Sequence, residues 1–186
     1  MVKLRAKCIV AGDAAVGKSA LTQLLRSDGA HFQKNYTMTA GVEIVVKAVN
    51  IPDSSDSVEL YLFDSAGKEV FMDMLEKQWG EPSVLCLVFD VTSEPSFKSC
   101  AKWLDRVRAQ CHSLQLPGVL VGNKTDLSAR RAVEFTTAQE WASNQGLEYC
   151  ETSAKEMENY EAPFQSLAQA FHRIYQERLE VIQSLA

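Results

Sequence analysis

The sequence predicts a three-layer α/β fold in which a six-stranded, mostly parallel sheet carries helices on both faces. Three observations lead there. Short apolar runs alternate with helical patterns along nearly the whole chain. Several of those runs, such as residues 84–89 and 118–121, are continuously apolar, as strands covered on both faces are. Each chemically suggestive motif follows directly on such a run, at the strand ends where open parallel sheets place their ligands. At 186 residues the chain suits one well-cored domain.

Taken in order, residues 3–11 end in Lys7, Cys8, Ile9, Val10 and Ala11 and read as a first strand. Residues 12–19 follow as GDAAVGKS, a GxxxxGK[ST] phosphate-binding loop. A helix over 18–27 comes next, with Leu21, Leu24 and Leu25 three and four positions apart. Strand, glycine loop and helix form the context this loop requires. Gly12 and Gly17 let the backbone of Asp13, Ala14, Ala15 and Val16 turn its N–H groups inward as a nest. The helix start at Ala20 adds positive partial charge, Lys18 adds a full charge for the β- and γ-phosphates, and Ser19 offers a hydroxyl to Mg²⁺. Strands over 42–51 and 58–64 are joined by a polar stretch short enough to be a hairpin turn. Then come a helix (69–79), a strand (84–90), a helix (96–113), a strand (117–123), a helix (136–145), a strand (147–151) and a final helix (160–184).

Two further motifs sit on strand ends. Asp64, closing the third strand and followed by Gly67, has the arrangement of a carboxylate that holds a Mg²⁺ shell, while Gly67 leaves room for a backbone N–H beside the γ-phosphate. At 123–126 the sequence reads NKTD. A carboxylate at Asp126 can accept from N1–H and the exocyclic amine of guanine, whereas adenine presents no matching donors. TSAK at 152–155 would add the Ala154 N–H for the guanine O6. Singly, each of these is equally an ordinary polar turn; in order, on successive strand ends, they select GTP.

A formal charge of −5 with no basic stripe argues against nucleic acid as a partner. Five cysteines without CxxC spacing fit reduced thiols in a cytoplasmic compartment. Cys8, Cys86 and Cys150 fall in strands as small core groups, and Cys100 and Cys111 are expected to share a helix face. No apolar leader and no run of membrane-spanning length is present.

The phosphate loop, DSAGKE, NKTD and TSAK, in this order and over nearly the whole chain, resemble the Ras superfamily of small GTPases, with the Rab branch the nearer match. The resemblance implies a small-GTPase domain over 1–176, GTP or GDP with Mg²⁺ as ligands, and a base site of Asn123, Lys124, Asp126, Ser153, Ala154 and Lys155. It further implies Phe32 beside the guanine, Tyr36 near the phosphates, and Thr39 as a Mg²⁺ ligand with Ser19 and Asp64. Three features depart from the pattern. Lys68 follows DSAG where relatives use Gln; an ammonium has three donors and no acceptor, so it cannot take a hydrogen bond from the attacking water, though it can stabilise charge on the γ-phosphate. Slow hydrolysis is expected, with Thr39, Gly67 and Lys68 around the reacting group. Ala14 and Ala15 replace Gly or Ser; their methyl groups either crowd the γ-phosphate or are ordinary loop residues with negative φ. Finally, residues 177–186 form an extension without a prenylation cysteine, so no direct lipid anchor is expected. Leu179, Val181, Ile182 and Leu185 continue the apolar stripe of Phe164, Leu167, Ala168, Phe171, Ile174 and Tyr175, as a helix covering a protein partner would.

The same departures resemble the Rab-like GTPases of the intraflagellar transport B complex. That likeness implies a heterodimer with a small β-sandwich subunit, a place in cilium and basal body, and cargo moved between cilium and cell body. Two modes of action stay open: a slow switch, with Phe71, Met72, Met74, Leu75 and Trp79 as partner surface or alternatively core, or a constitutive assembly subunit holding GTP structurally.

Overall fold

The computed structural model describes residues 1–32 and 35–186. Its six-stranded sheet is built from β1 (Lys3–Ala11), β2 (Val42–Asn50), β3 (Ser57–Ser65), β4 (Val84–Asp90), β5 (Gly118–Asn123) and β6 (Glu148–Glu151). Their order across the sheet is β2-β3-β1-β4-β5-β6. β2 runs antiparallel to β3, and all other neighbours are parallel. The helices are α1 (Lys18–Arg26), α2 (Met72–Trp79), α3 (Glu94–Ala109), α4 (Phe135–Asn144) and α5 (Ala162–Ser184).

Alternation along the strands divides the core in two. In β1, Cys8 and Val10 face one side, where Leu21, Leu24, Phe164 and Leu167 of α1 and α5 cover them. Ile9 and Ala11 face the other, under Leu75 and Trp79 of α2, Trp103 and Leu104 of α3, and Ala138 and Ala142 of α4. β4 and β5 are buried along their whole length, as continuous apolar runs require.

Departures from expectation sit at element ends. α3 begins at Glu94 rather than 96, because the Ser93 hydroxyl accepts from Ser96 N–H at 3.3 Å and Pro95 occupies the first turn, where it lacks no needed donor. It ends at Ala109, so Cys111 lies beyond it and the shared face with Cys100 does not exist; Cys100 is buried and Cys111 half-buried. The segment after Lys68 starts with a 3₁₀ turn (Glu69–Phe71) before α2, and a second 3₁₀ stretch (Thr125–Arg130), unforeseen, carries Asp126. The apolar residues 71–79 divide: Met72, Leu75 and Trp79 are core, Met74 is 40% exposed and Phe71 half-buried.

α5 is one continuous helix whose first half is core. Phe164, Leu167 and Ala168 are buried, Phe171, Ile174 and Tyr175 are half-buried, and Leu179, Val181, Ile182 and Leu185 are exposed. Beside its second half, at the end of the sheet where β5 begins, a groove of about 700 Å³ is lined by Arg108, Gln145, Leu116, Arg173, Ile174 and Glu177. His172, buried among the helix residues, bonds Asp56 Oδ2 at 3.0 Å, and Asp56 Oδ1 accepts from Val2 N–H at 2.7 Å, tying the β2–β3 turn to α5 and β1. No helix among the described residues is long and apolar enough to cross a membrane.

Trp79 anchors α2. It is fully buried, and its indole N–H donates to Ser65 Oγ at 2.8 Å. Trp79→Ala is expected to cost about 3–5 kcal/mol in chemical denaturation, and Trp79→Phe about 1–2 kcal/mol through the hydrogen bond lost at Ser65 Oγ, which keeps only its donation to Phe63 O.

Candidate functional site

The loop between β1 and α1 is shaped by three residues with positive φ: Gly12 (148°), Ala15 (63°) and Gly17 (104°). A Cβ on Gly12 would stand 2.1 Å from Val88 O, and one on Gly17 2.1 Å from Asn123 Nδ2, so neither position admits a side chain. Ala15 does not have the ordinary negative φ considered for it. Its left-handed turn is held by Lys124, itself left-handed at φ 68°, whose Nζ donates to Ala15 O at 2.7 Å and pairs with Asp90 Oδ2 at 2.9 Å.

Lys18 opens α1 and is buried, its Nζ donating to Gly12 O (2.8 Å) and Asp13 O (2.6 Å). Burial pulls its ammonium down to about 8, against the nearby Asp64 and Asp13 carboxylates. An anion cradled by the loop would favour the charged form.

Next to Lys18, three oxygens converge from three elements. Ser19 Oγ lies 3.0 Å from Thr39 Oγ1 and donates to Asp64 Oδ2 at 2.5 Å. Asp64 is 1% exposed, and burial pushes its carboxyl up to about 6. Its Oδ1 is the buried side-chain polar atom without a hydrogen-bond partner among the described residues. Such an atom needs a cation or water. Mg²⁺ suits the donor set: it takes oxygen ligands at about 2.0–2.1 Å in octahedral geometry, which spaces adjacent oxygens roughly as Ser19 and Thr39 are spaced. Among the described residues no group of three His, Cys, Asp or Glu side chains is placed to hold a metal. A cation here would therefore draw on hydroxyls, Asp64 and ligand oxygens.

The base-side motifs form the neighbouring wall. Asn123 is fully buried; its Nδ2 donates to Val16 O at 2.9 Å, and its Oδ1 accepts from Thr152 Oγ1 at 3.0 Å and Ala154 N–H at 3.2 Å. Ala154 N–H is thus directed at Asn123 rather than left free. Ser153 Oγ donates to Asp126 Oδ1 at 2.8 Å, leaving the second carboxylate oxygen for other donors.

Two adjoining cavities result. One, of about 260 Å³, is lined by Ala14, Ala15, Gly17, Lys18, Ser19, Ala20, Phe32, Tyr36, Thr39, Gly67 and Lys124, together with Asn35, Thr37 and Ser65. The other, of about 210 Å³, is lined by Gly17, Ala20, Phe32, Asn123, Lys124, Asp126, Leu127, Ala154 and Lys155. Phe32 borders both. Of the residues singled out in the sequence, Gly12, Asp13, Val16, Asp64, Lys68 and Ser153 line neither. Gly12, Val16, Asp64 and Ser153 stand behind the wall and support it. Asp13 points away, its Oδ1 accepting from the Trp103 indole N–H at 2.9 Å. Lys68 is exposed. Gly67 has a second reason to be glycine, since a Cβ there would lie 2.2 Å from Ala14 N. Sequence reading missed Trp103, Leu127 and Asp90, and named Thr152 only as part of TSAK. Asp90 alone carried a signal, as an acidic residue closing a buried strand at the site's edge of the sheet.

A phosphate loop on a parallel sheet, a hydroxyl–carboxylate cluster beside its lysine and a base-sized cavity walled by Asn123 and Asp126 define a nucleotide-binding protein of the small-GTPase class. The sequence matches the Ras family over residues 7–173, and the chain belongs to that family. Membership makes it a guanine-nucleotide-binding GTP hydrolase that works with Mg²⁺. It is 65% identical over 185 residues to the intraflagellar transport protein 27 homolog of Bos taurus and 63% identical over 186 residues to that of Homo sapiens, each alignment spanning 100% of both chains. Intraflagellar transport protein 27 of Chlamydomonas reinhardtii is 41% identical over 184 residues, covering 97% of this chain and 90% of that one.

Ala15→Gly is expected to stabilise the protein by about 0.5–1 kcal/mol. Relief of a left-handed Cβ, worth about 1–2 kcal/mol, exceeds the added freedom of the unfolded glycine. Gly17→Ala places a methyl group on Asn123 and should abolish nucleotide retention on gel filtration.

Proposed function

We propose that this protein is a Rab-like guanine-nucleotide switch with slow intrinsic GTP hydrolysis, acting as a subunit of intraflagellar transport in the cilium and at the basal body. The observation that carries the reading is Lys68 directly after DSAG, in a chain 63–65% identical end to end to intraflagellar transport protein 27 homologs.

The chemistry follows from the residues. Loop N–H groups and Lys18 bind the β- and γ-phosphates, and Asp126 accepts from the guanine edge while Phe32 covers the base. Ser19 and Thr39 would hold Mg²⁺, with Asp64 behind them, and a bound ion would supply positive charge to the phosphates. Hydrolysis requires water to attack the γ-phosphorus as the bond to the β-phosphate oxygen breaks. Lys68 can donate to a γ-oxygen but cannot accept from that water. The Ala14 methyl beside Gly67 narrows the same space. Thr39 and Gly67 sense the γ-phosphate and order their two segments.

For partners, the exposed apolar end of α5 and the adjoining groove support a heterodimer with a small β-sandwich subunit within the B complex, in place of a lipid anchor. Cargo moving between cilium and cell body is the corresponding task. The second reading, a constitutive subunit with GTP as structural cofactor, draws support from the distance of α5's apolar end from the nucleotide site.

Partner affinity measured with GTP, GDP and no nucleotide separates the two. The switch predicts at least about tenfold tighter binding with GTP, and equal affinities with both nucleotides would remove it, because a ligand shifts an equilibrium only through differential binding. In single-turnover assays at equal GTP affinity, Lys68→Gln should hydrolyse at least about tenfold faster than the parent; a rate no greater than the parent's would show that this position does not limit turnover. Asp126→Ala should weaken GTP binding by about 100-fold or more through the loss of two charge-assisted bonds.

A further inference from the structure

One short stretch of α3 is tied both to the phosphate loop and to the segment that follows Lys68. The indole of Trp103, 3% exposed, donates to the phosphate-loop carboxylate of Asp13 at 2.9 Å. One residue earlier, Lys102 pairs with Glu69, the neighbour of Lys68. One turn later, Arg106 Nη1 pairs with Glu76 of α2 at 2.8 Å. Lys68 is thereby caught between two fixed points. Gly67 before it lies against the Asp13–Ala14 peptide, where not even a Cβ would fit, and Glu69 after it is tied to α3. Between them Lys68 is extended (φ −97°, ψ 134°), exposed, and absent from the lining of the phosphate cavity.

We propose that Lys102, Trp103 and Arg106 are positioning residues: Trp103 braces α3 against the phosphate loop, and Lys102 and Arg106 use that brace to restrain the Lys68 segment outside the phosphate cavity. In this proposal the ammonium approaches a γ-oxygen as the Lys68–Glu69 segment moves toward the cavity, and opening of the Glu69–Lys102 pair frees that movement. The hydrogen bond from Lys102 holds the Glu69 carboxyl below the usual carboxylate range. The Lys102–Glu69 pair is solvent-exposed and the Arg106–Glu76 pair only partly buried, and an exposed pair shifts an equilibrium by only about two- to fivefold. The restraint is therefore a bias that a partner or salt can lift. The effect on rate rests on the reading of Lys68 given above; the restraint itself does not.

Amide hydrogen exchange over residues 68–76 of the GTP-bound full chain tests the restraint. Lys102→Ala and Glu69→Gln should each speed exchange there by about two- to fivefold, and the charge swap of Lys102→Glu with Glu69→Lys should return it to within about twofold of the parent. Single-turnover GTP hydrolysis should rise by the same factor in the single variants but not when Lys68→Met is also present. Exchange that is unchanged in the single variants, or not restored by the swap, overturns the restraint. Exchange that responds while hydrolysis does not, in an otherwise parental background, overturns the positioning role. Should the swap restore exchange while Lys68→Gln hydrolyses no faster than the parent, the restraint stands and the reading of Lys68 fails.

Discussion

The site depends on one buried amide. Asn123 is 1% exposed and joins three strand-end loops that have no sequence proximity: its Nδ2 holds the phosphate loop at Val16, and its Oδ1 gathers Thr152 and Ala154. Its Oδ1 takes both of its hydrogen bonds, and one Nδ2 N–H is spent on Val16, inside the protein, where an unpaired amide would cost about 1–3 kcal/mol. Its packing also dictates glycine at position 17, because the space a Cβ would fill is occupied by Nδ2. Lys124 extends the same join outward, from Asp90 at the end of β4 to Ala15 at the tip of the loop. The phosphate and base halves of the cavity are thus one mechanical unit, and a nucleotide meets walls whose spacing is set before it arrives.

A second unit is built around α3 and α2. Burial of Met72, Leu75 and Trp79 fixes α2 on the sheet, while Met74 at 40% exposure and Val70 at 80% face outward. Apolar content in this segment therefore serves two purposes at once, core on one side and open surface on the other. Polar ties from α3 run to the loop at Asp13 and to this segment at Glu69 and Glu76, beside the apolar cluster that α2 and α3 share. Packing sets where α2 lies, and weak charge pairs set how its leading turn is held.

Much of this was legible because parallel sheets leave strong marks. Strands buried on both faces read as unbroken apolar runs, and ligand motifs follow them directly, so the sheet, the phosphate loop and the base motifs all emerge from local pattern. What failed depends on contacts distant in sequence or on backbone angles. Nothing in the letters AA at 14–15 shows that Ala15 adopts a left-handed turn, whose carbonyl is bonded by Lys124 more than a hundred residues away. Trp103 reads as a core residue of an amphipathic helix, and its indole N–H finds Asp13 only when the helix is laid on the sheet. The apolar spacing that carried the helix pattern of α3 on to Cys111 could not register that its last turn closes through Val107 and Arg108 carbonyls and stops at Ala109.

The sheet also gives the molecule two ends with different fates. The loops that touch the cavities leave the sheet at the carboxyl ends of β1, β3, β5 and β6, joined by the α1–β2 connection that enters the antiparallel β2 from the same side, whereas α5 runs back past the strands and delivers its exposed apolar tail to the other end, beside the groove at Arg173 and Ile174. With the whole sheet between them, a residue such as Lys68 can be exchanged at one end without altering a single contact at the other. The two poles of the same six strands can therefore change independently, one carrying the loops of the cavities and the other the exposed apolar tail of α5.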